Sequence, residues 1–195
     1  MYAFGALLNR MKYISRWGLM RNARPETLSE HVVDVAIIAN ILGHIAKEIF
    51  EADVNPEKIT CRALYHDAGE ILIGDLPTPV KYRNETIRTA YLKLEEESEE
   101  KIVASLPDEL KAVMRHAIVG EGLNSREERI VKAADRFSAL LKCIEEEQSG
   151  NTEFKKAKES TLAKIKTDML PETEYFLDNF IEAYTLTLDE LLSLD

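Results

Sequence analysis

Between Val32 and Ile45 the chain carries apolar residues on most sides of a helical wheel: Val32, Val33, Val35, Ile37, Ile38, Ile41, Leu42 and Ile45. A surface helix shows one apolar stripe, whereas a helix apolar nearly all round has to be covered by neighbours. The segment therefore predicts a central buried helix, opening at an N-cap Ser29 and running to about Phe50. Its longest stretch free of Asp, Glu, Lys and Arg, Val35 to Ala46, is too short to cross a bilayer.

The remaining punctuation predicts more helices and no sheet. Phe4, Leu7, Leu8 and Met11 recur at helical spacing within Tyr2–Tyr13. Ser15 to Leu28, broken by Gly18, Asn22 and Pro25, reads as irregular. Asn55-Pro56 supplies a cap and a first-turn proline for a helix that ends near His66-Asp67. Gly74-Asp75-Leu76-Pro77-Thr78-Pro79 cannot continue a helix and predicts a rigid loop. A long charged helix follows from Asn84 to Leu106, with its glutamate runs on a solvated face, and a shorter one from Pro107 to near Val119. Ser125-x-x-Glu128 reads as the capping box of a helix through Gln148 that Gly150 closes. Further helices are expected at Phe154–Thr167, Glu172–Ala183 and Leu188–Leu192. With no hairpin, repeat or low-complexity linker, residues 1–195 are expected to form one all-α domain.

Charge excludes one large class of function. A formal net charge of −10 is wrong for coating a nucleic-acid polymer, which needs clustered Lys and Arg. Yet residues 1–25 hold Arg10, Lys12, Arg16, Arg21 and Arg24 without a single acid, a patch suited to a small anion or to a solvated face. Lys81 and Arg83 form a second basic spot. Met1–Leu8 lacks the basic flank and cleavage site of a signal peptide, and Cys61 and Cys143 show no ligand spacing. Reduced thiols in a cytoplasmic protein without membrane attachment are expected.

Chemistry concentrates in Tyr65-His66-Asp67-Ala68-Gly69-Glu70. Adjacent His66 and Asp67 can meet one ion from a short arc, and Glu70 overhangs them at i+4 and i+3. Alone, such a pair is more often a hydrogen bond holding a helix end. Two other positions add weight. His31 sits in the first turn of the central helix, and Asp135 borders the apolar stripe Ile130, Val131, Ala134, Phe137 and Leu141. A carboxylate there needs a partner or a cation, and Arg136 points away from it. His44 and His116 lack such company and read as structural or surface residues. The set His31, His66, Asp67 and Asp135 offers nitrogen and oxygen donors and no thiolate. It suits Mn²⁺, Co²⁺, Fe²⁺, Ni²⁺ or Zn²⁺ rather than Ca²⁺ or a thiolate-held zinc.

The order His…His-Asp…Asp resembles the HD-domain metal-dependent phosphohydrolases. Three flanking blocks resemble the bacterial HD-domain 5′-deoxynucleotidases in order and spacing: Ile14-Ser15-Arg16-Trp17-Gly18-Leu19-Met20-Arg21-Asn22, then Gly74 to Tyr82 after the His66-Asp67 block, then Lys132-Ala133-Ala134-Asp135 with Leu140 to Glu146. That resemblance implies an HD-domain helical fold and hydrolysis of 2′-deoxynucleoside 5′-monophosphates to deoxynucleoside and phosphate. It implies one divalent ion, Co²⁺ or Mn²⁺ first, with Fe²⁺, Ni²⁺, Cu²⁺ or Zn²⁺ as alternatives, and a homodimer. Arg16 becomes the phosphate clamp and Glu70 the group that orients water or passes a proton. Trp17 and Asp75 line a sugar site that favours 2′-deoxyribose, walled by Leu76, Pro77 and Thr78, with metal-binding His31 alongside. Lys81 reads as solvated. Apolar Tyr175, Phe176, Phe180 and Tyr184 serve either a dimer or the core. One departure stands out: Val119-Gly120-Glu121-Gly122-Leu123 has Gly122 where the family tends to carry His after the acid. Two alternatives stay open, a cyclic-nucleotide phosphodiesterase or nucleotide pyrophosphatase of the same superfamily, and a non-catalytic nucleotide-binding protein.

Overall fold

A computed structural model describes residues 1–194 as eleven α-helices joined by short 3₁₀ and π turns, without a β-strand among the described residues. In order they are α1 (Phe4–Leu8), α2 (Leu28–His44), α3 (Pro56–Tyr65), α4 (Glu70–Ile73), α5 (Thr78–Lys81) and α6 (Glu85–Ala104). Then come α7 (Asp108–Ile118), α8 (Ser125–Gln148), α9 (Lys155–Thr167), α10 (Pro171–Asn179) and α11 (Leu188–Leu191). Among the described residues no helix is long and apolar enough to cross a membrane.

Helix α2 is the hub, packed on α3, α8 and α10. It buries Val35, Ile38, Ala39 and Leu42, but Val33 and Ile37 stay about half exposed because no helix covers its third side. Phe137 of α8 and Phe176 of α10 close the main core, ring centroids 4.8 Å apart, and Phe180 stacks on Phe176 at 4.9 Å. Of the C-terminal aromatics, Phe176 is core, Tyr175 and Phe180 pack against it, and Tyr184 is exposed. A second cluster of Met11, Leu28, Val32, Ala68, Ile102 and Ile118 lies under the N-terminal segment. Phe137→Ala removes a fully buried ring between helices that cannot close over the gap, and is expected to cost about 3–5 kcal/mol in urea unfolding.

Two helix starts differ from the sequence expectation. The cap of α2 is Thr27, whose hydroxyl accepts from the Glu30 amide while Glu30 accepts from the Thr27 amide at 2.8 Å; Ser29 already lies inside the helix. Thr27 is held extended by an antiparallel bridge to Ser15, and that contact decides between the two hydroxyls. Likewise α8 is capped by Asn124 and Glu127 rather than Ser125 and Glu128. Glu127 also accepts from the Asn55 amide at 3.0 Å, so the two helix starts are tied together. The first helix is shorter than expected, giving way after Leu8 to a 3₁₀ turn over Asn9–Tyr13. The expected helix to Ala183 stops at Asn179.

Candidate active site

Helix α3 ends at Tyr65 and α4 begins at Glu70, so the His66–Gly69 segment is a turn between two helices, not one continuous helix. A Cβ at Gly69 would stand 3.2 Å from the Glu95 carbonyl of α6, a tight contact that glycine avoids. The turn frees His66 and Asp67 to face α2 and α8 together. The His66 Nδ1–H donates to the Ala63 carbonyl at 2.7 Å, which leaves Nε2 as an unprotonated acceptor. His31, fully buried on α2, has Nδ1 3.0 Å from Ser138 Oγ. Its Nε2 lies 3.2 Å from Asp135 Oδ1 and 3.5 Å from Asp67 Oδ2, while His66 Nε2 is 3.2 Å from the same Asp67 oxygen.

Both Nε2 atoms are buried and make no hydrogen bond. Imidazole lone pairs facing carboxylate oxygens at this range repel unless positive charge lies between them. That is the electrostatic signature of a cation site, and His31, His66 and Asp67 offer ligand atoms within 4.8 Å of one another. Asp135, from α8, reaches this group through His31 and stands outside the set of atoms that lie within 4.8 Å of one another. Arg136 turns away to pair with Asp168 at 2.6 Å. Burial pushes Asp67 up, but His66 and His31, positively charged when protonated, hold it well below the usual carboxylate range.

Glu70 is 6% exposed and its Oε2 has no hydrogen-bond partner. Burial, then the Asp67 and Asp75 charges, push its carboxyl up to about 10. It lines a hollow against α6 with His66, Asp67, Arg62 and Glu99. Glu99, expected on a solvated face, is half-buried beside Arg62, and burial raises it to about 7 against the pull of that guanidinium. Lys81 is not solvated either: it pairs with Glu95 at 2.7 Å and lies 4.5 Å over the Tyr91 ring.

Beside the cluster opens a cleft of about 730 Å³ lined by Arg16, Trp17, Asp75, Pro77, Thr78 and Asp135 on one side. Residues of α9, including Lys156, Ser160 and Lys164, line the other, and the helical pattern alone did not mark them out. Leu76 does not line this cleft, and His31 lies behind it. Thr78 begins the short α5, so the expected rigid loop ends at Pro77. Arg16 Nη1 is 3.7 Å from Asp67 Oδ2, and burial together with the surrounding acids fixes it as the one basic residue of the first 25 that turns inward to this point. Arg21 and Arg24 instead pair at the surface with Glu153 and with Glu30 and Glu145. Glu121 also stays outside, accepting from Arg115 Nε at 2.7 Å. Gly122 holds φ +79, a left-handed backbone that glycine adopts without strain, and its carbonyl accepts from Lys58.

Helices that carry two histidines and two aspartates to one buried point place the molecule among the HD-domain phosphohydrolases. The fold matches an HD-domain phosphohydrolase crystal structure from Listeria innocua at a TM-score of 0.80, with 25% identity over 93% of this chain and 87% of that one. It also matches the HD phosphohydrolase DatZ of cyanophage S-2L (TM-score 0.69, 19% identity, 93% and 96% covered), whose structure holds dA and one catalytic Zn²⁺ ion. More narrowly, residues 3–184 match the 5′-deoxynucleotidase YfbR-like family, and the chain belongs to it. A curated 5′-deoxynucleotidase of Vibrio vulnificus is 44% identical over 191 residues, covering 96% of this chain and 97% of its own.

Proposed function

We propose that this protein is a divalent-metal-dependent 5′-deoxynucleotidase, converting 2′-deoxynucleoside 5′-monophosphates to deoxynucleosides and phosphate. The observation that carries it is the pair of buried, hydrogen-bond-free Nε2 atoms of His31 and His66, aimed at Asp67 and Asp135 at the edge of a cleft containing Arg16 and Trp17. These four residues are the ligand set for one divalent ion. Ser138 and the Ala63 carbonyl set which imidazole nitrogen is free, as partners of metal-binding histidines do. The nitrogen–oxygen donors are compatible with Mn²⁺, Co²⁺, Fe²⁺, Ni²⁺, Cu²⁺ or Zn²⁺, and the family resemblance puts Co²⁺ or Mn²⁺ first. Such an ion supplies an activated water and neutralises charge on the phosphoryl oxygens.

The chain's own groups do the rest. The Arg16 guanidinium grips the phosphate, and Trp17, Asp75, Pro77 and Thr78 shape the sugar site, whose walls select 2′-deoxyribose by fit. Attacking and leaving oxygens stand in line across the phosphorus. Glu70, three residues on from Asp67, serves to orient the attacking water or to pass a proton to the departing 5′ oxygen. Burial raises its carboxyl first and the Asp67 charge adds to that, and a cation beside Asp67 would offset the second contribution. A homodimer fits the exposed apolar Val33, Ile37 and Tyr184, which border one hollow, and a cytoplasmic location fits the free Cys61 and Cys143.

Phosphate release from dAMP is expected to exceed that from AMP by about 10-fold or more, to vanish after EDTA and to return with Co²⁺ or Mn²⁺. A malachite-green assay checks this. Equal rates on dAMP and AMP would remove the sugar selectivity, and silence on every monophosphate would favour a nucleotide-binding role.

A further inference from the structure

Arg16 and Trp17 lie in an irregular segment between α1 and α2, with no helix of their own to hold them. One atom nevertheless anchors both. Glu26 Oε2 accepts from Arg16 Nε at 3.2 Å and from Trp17 Nε1 at 2.9 Å. Glu26 is 8% exposed, and its carbonyl accepts from the Arg16 amide at 3.0 Å beside the Ser15–Thr27 bridge. Both lone pairs of that oxygen are thereby used.

The anchoring has something to oppose. Trp17 holds φ 58, a left-handed backbone that is strained for a bulky aromatic and persists only where surrounding contacts enforce it. Here those contacts are the bond to Glu26 and the Phe154 ring, 5.2 Å away. Arg16 for its part has a competing anion: its Nη1 is 3.7 Å from Asp67 Oδ2. Without Glu26 the guanidinium is free to settle on Asp67, where it would neither face a phosphate nor leave Asp67 its full charge.

We infer that Glu26 is a positioning and specificity-determining residue: one carboxylate oxygen aims the phosphate-gripping guanidinium and the sugar-facing indole together. Phosphate binding and sugar discrimination are therefore coupled and fail together when that oxygen is lost. The inference rests on the nucleotidase function proposed above and deepens it.

The test compares wild type, Glu26→Gln and Glu26→Ala, loaded with Co²⁺, on dAMP and AMP. Glu26→Gln keeps the shape but loses the charge, and kcat/KM for dAMP is expected to fall about 10-fold; Glu26→Ala is expected to lose about 100-fold. In both, the dAMP-to-AMP ratio shrinks, mainly through a rise in KM for dAMP. Trp17 is the only tryptophan in the chain, so its emission reports the same site and is expected to shift to the red with easier acrylamide quenching. A purely structural role would lower the melting temperature and leave the ratio intact. Variants that keep both the ratio and the Trp17 emission overturn the inference.

Wild-type protein labelled with ¹⁵N gives a check that needs no variant. Its single indole N–H resonance is expected to resist exchange with solvent, and exchange at the rate of an unfolded chain overturns the inference. Should wild type hydrolyse neither nucleotide, the nucleotidase function fails, while the indole resonance and emission still judge what Glu26 holds.

Discussion

Asp67→Ala is expected to abolish phosphate release, by about 10³-fold or more, and to strip the protein of its divalent ion in the same step. Asp67 is the only residue of the cluster whose oxygen approaches both free imidazole nitrogens, at 3.5 Å from His31 and 3.2 Å from His66. Removing it leaves two neutral donors and the half-exposed Asp135 to hold a doubly charged ion. A bound ion contributes several kcal/mol of transition-state stabilisation, and each 1.36 kcal/mol is about tenfold in rate. Phosphate release and metal content, the latter by plasma mass spectrometry, decide the matter together. Retention of wild-type metal stoichiometry by Asp67→Ala would sink the proposed ligand set. His116→Ala, at a partly exposed imidazole that donates to a carbonyl of its own helix, is expected to change neither quantity.

Glu70→Gln is expected to lower kcat by about 10²–10⁴-fold, the range for loss of a positioned acid or base, while metal content and KM for dAMP stay near wild type. The substitution keeps the buried volume and removes only the proton-accepting carboxylate. Circular dichroism confirms that α4 and the preceding turn survive. Lost metal in this variant would make Glu70 a ligand rather than a proton carrier, and an unchanged kcat would remove it from the chemistry. The two substitutions thus separate holding the ion from using it.

Much of this arrangement is legible in the sequence because it rests on local chemistry. Asn55-Pro56 starts α3 and Asn84 starts α6 where capping rules place them, each side chain accepting the amide three residues on. The proposed set His31, His66, Asp67 and Asp135 could be picked out along the chain because an acid or imidazole beside an apolar stripe demands a partner. Local rules stumble where two local answers are equally good. Thr27-x-x-Glu30 and the Ser29 hydroxyl both offer a cap, and a bridge from Ser15, twelve residues back, selects the first.

What the sequence by itself determined is the all-helical character and the buried course of α2, and it named the residues proposed to bind a cation. Only the tertiary structure decided how they are aimed. It put Glu26 behind Arg16, and set Ser138 against His31 and Lys156 in the wall of the cleft. It also turned Glu99 from a supposed solvent face toward Arg62. Helix periodicity and capping depend on neighbours within one or two turns, so they can be read along the chain. The direction of a long charged side chain depends on which opposite charge the packing of distant helices brings within a few ångströms, and that distance exists only once the chain has folded.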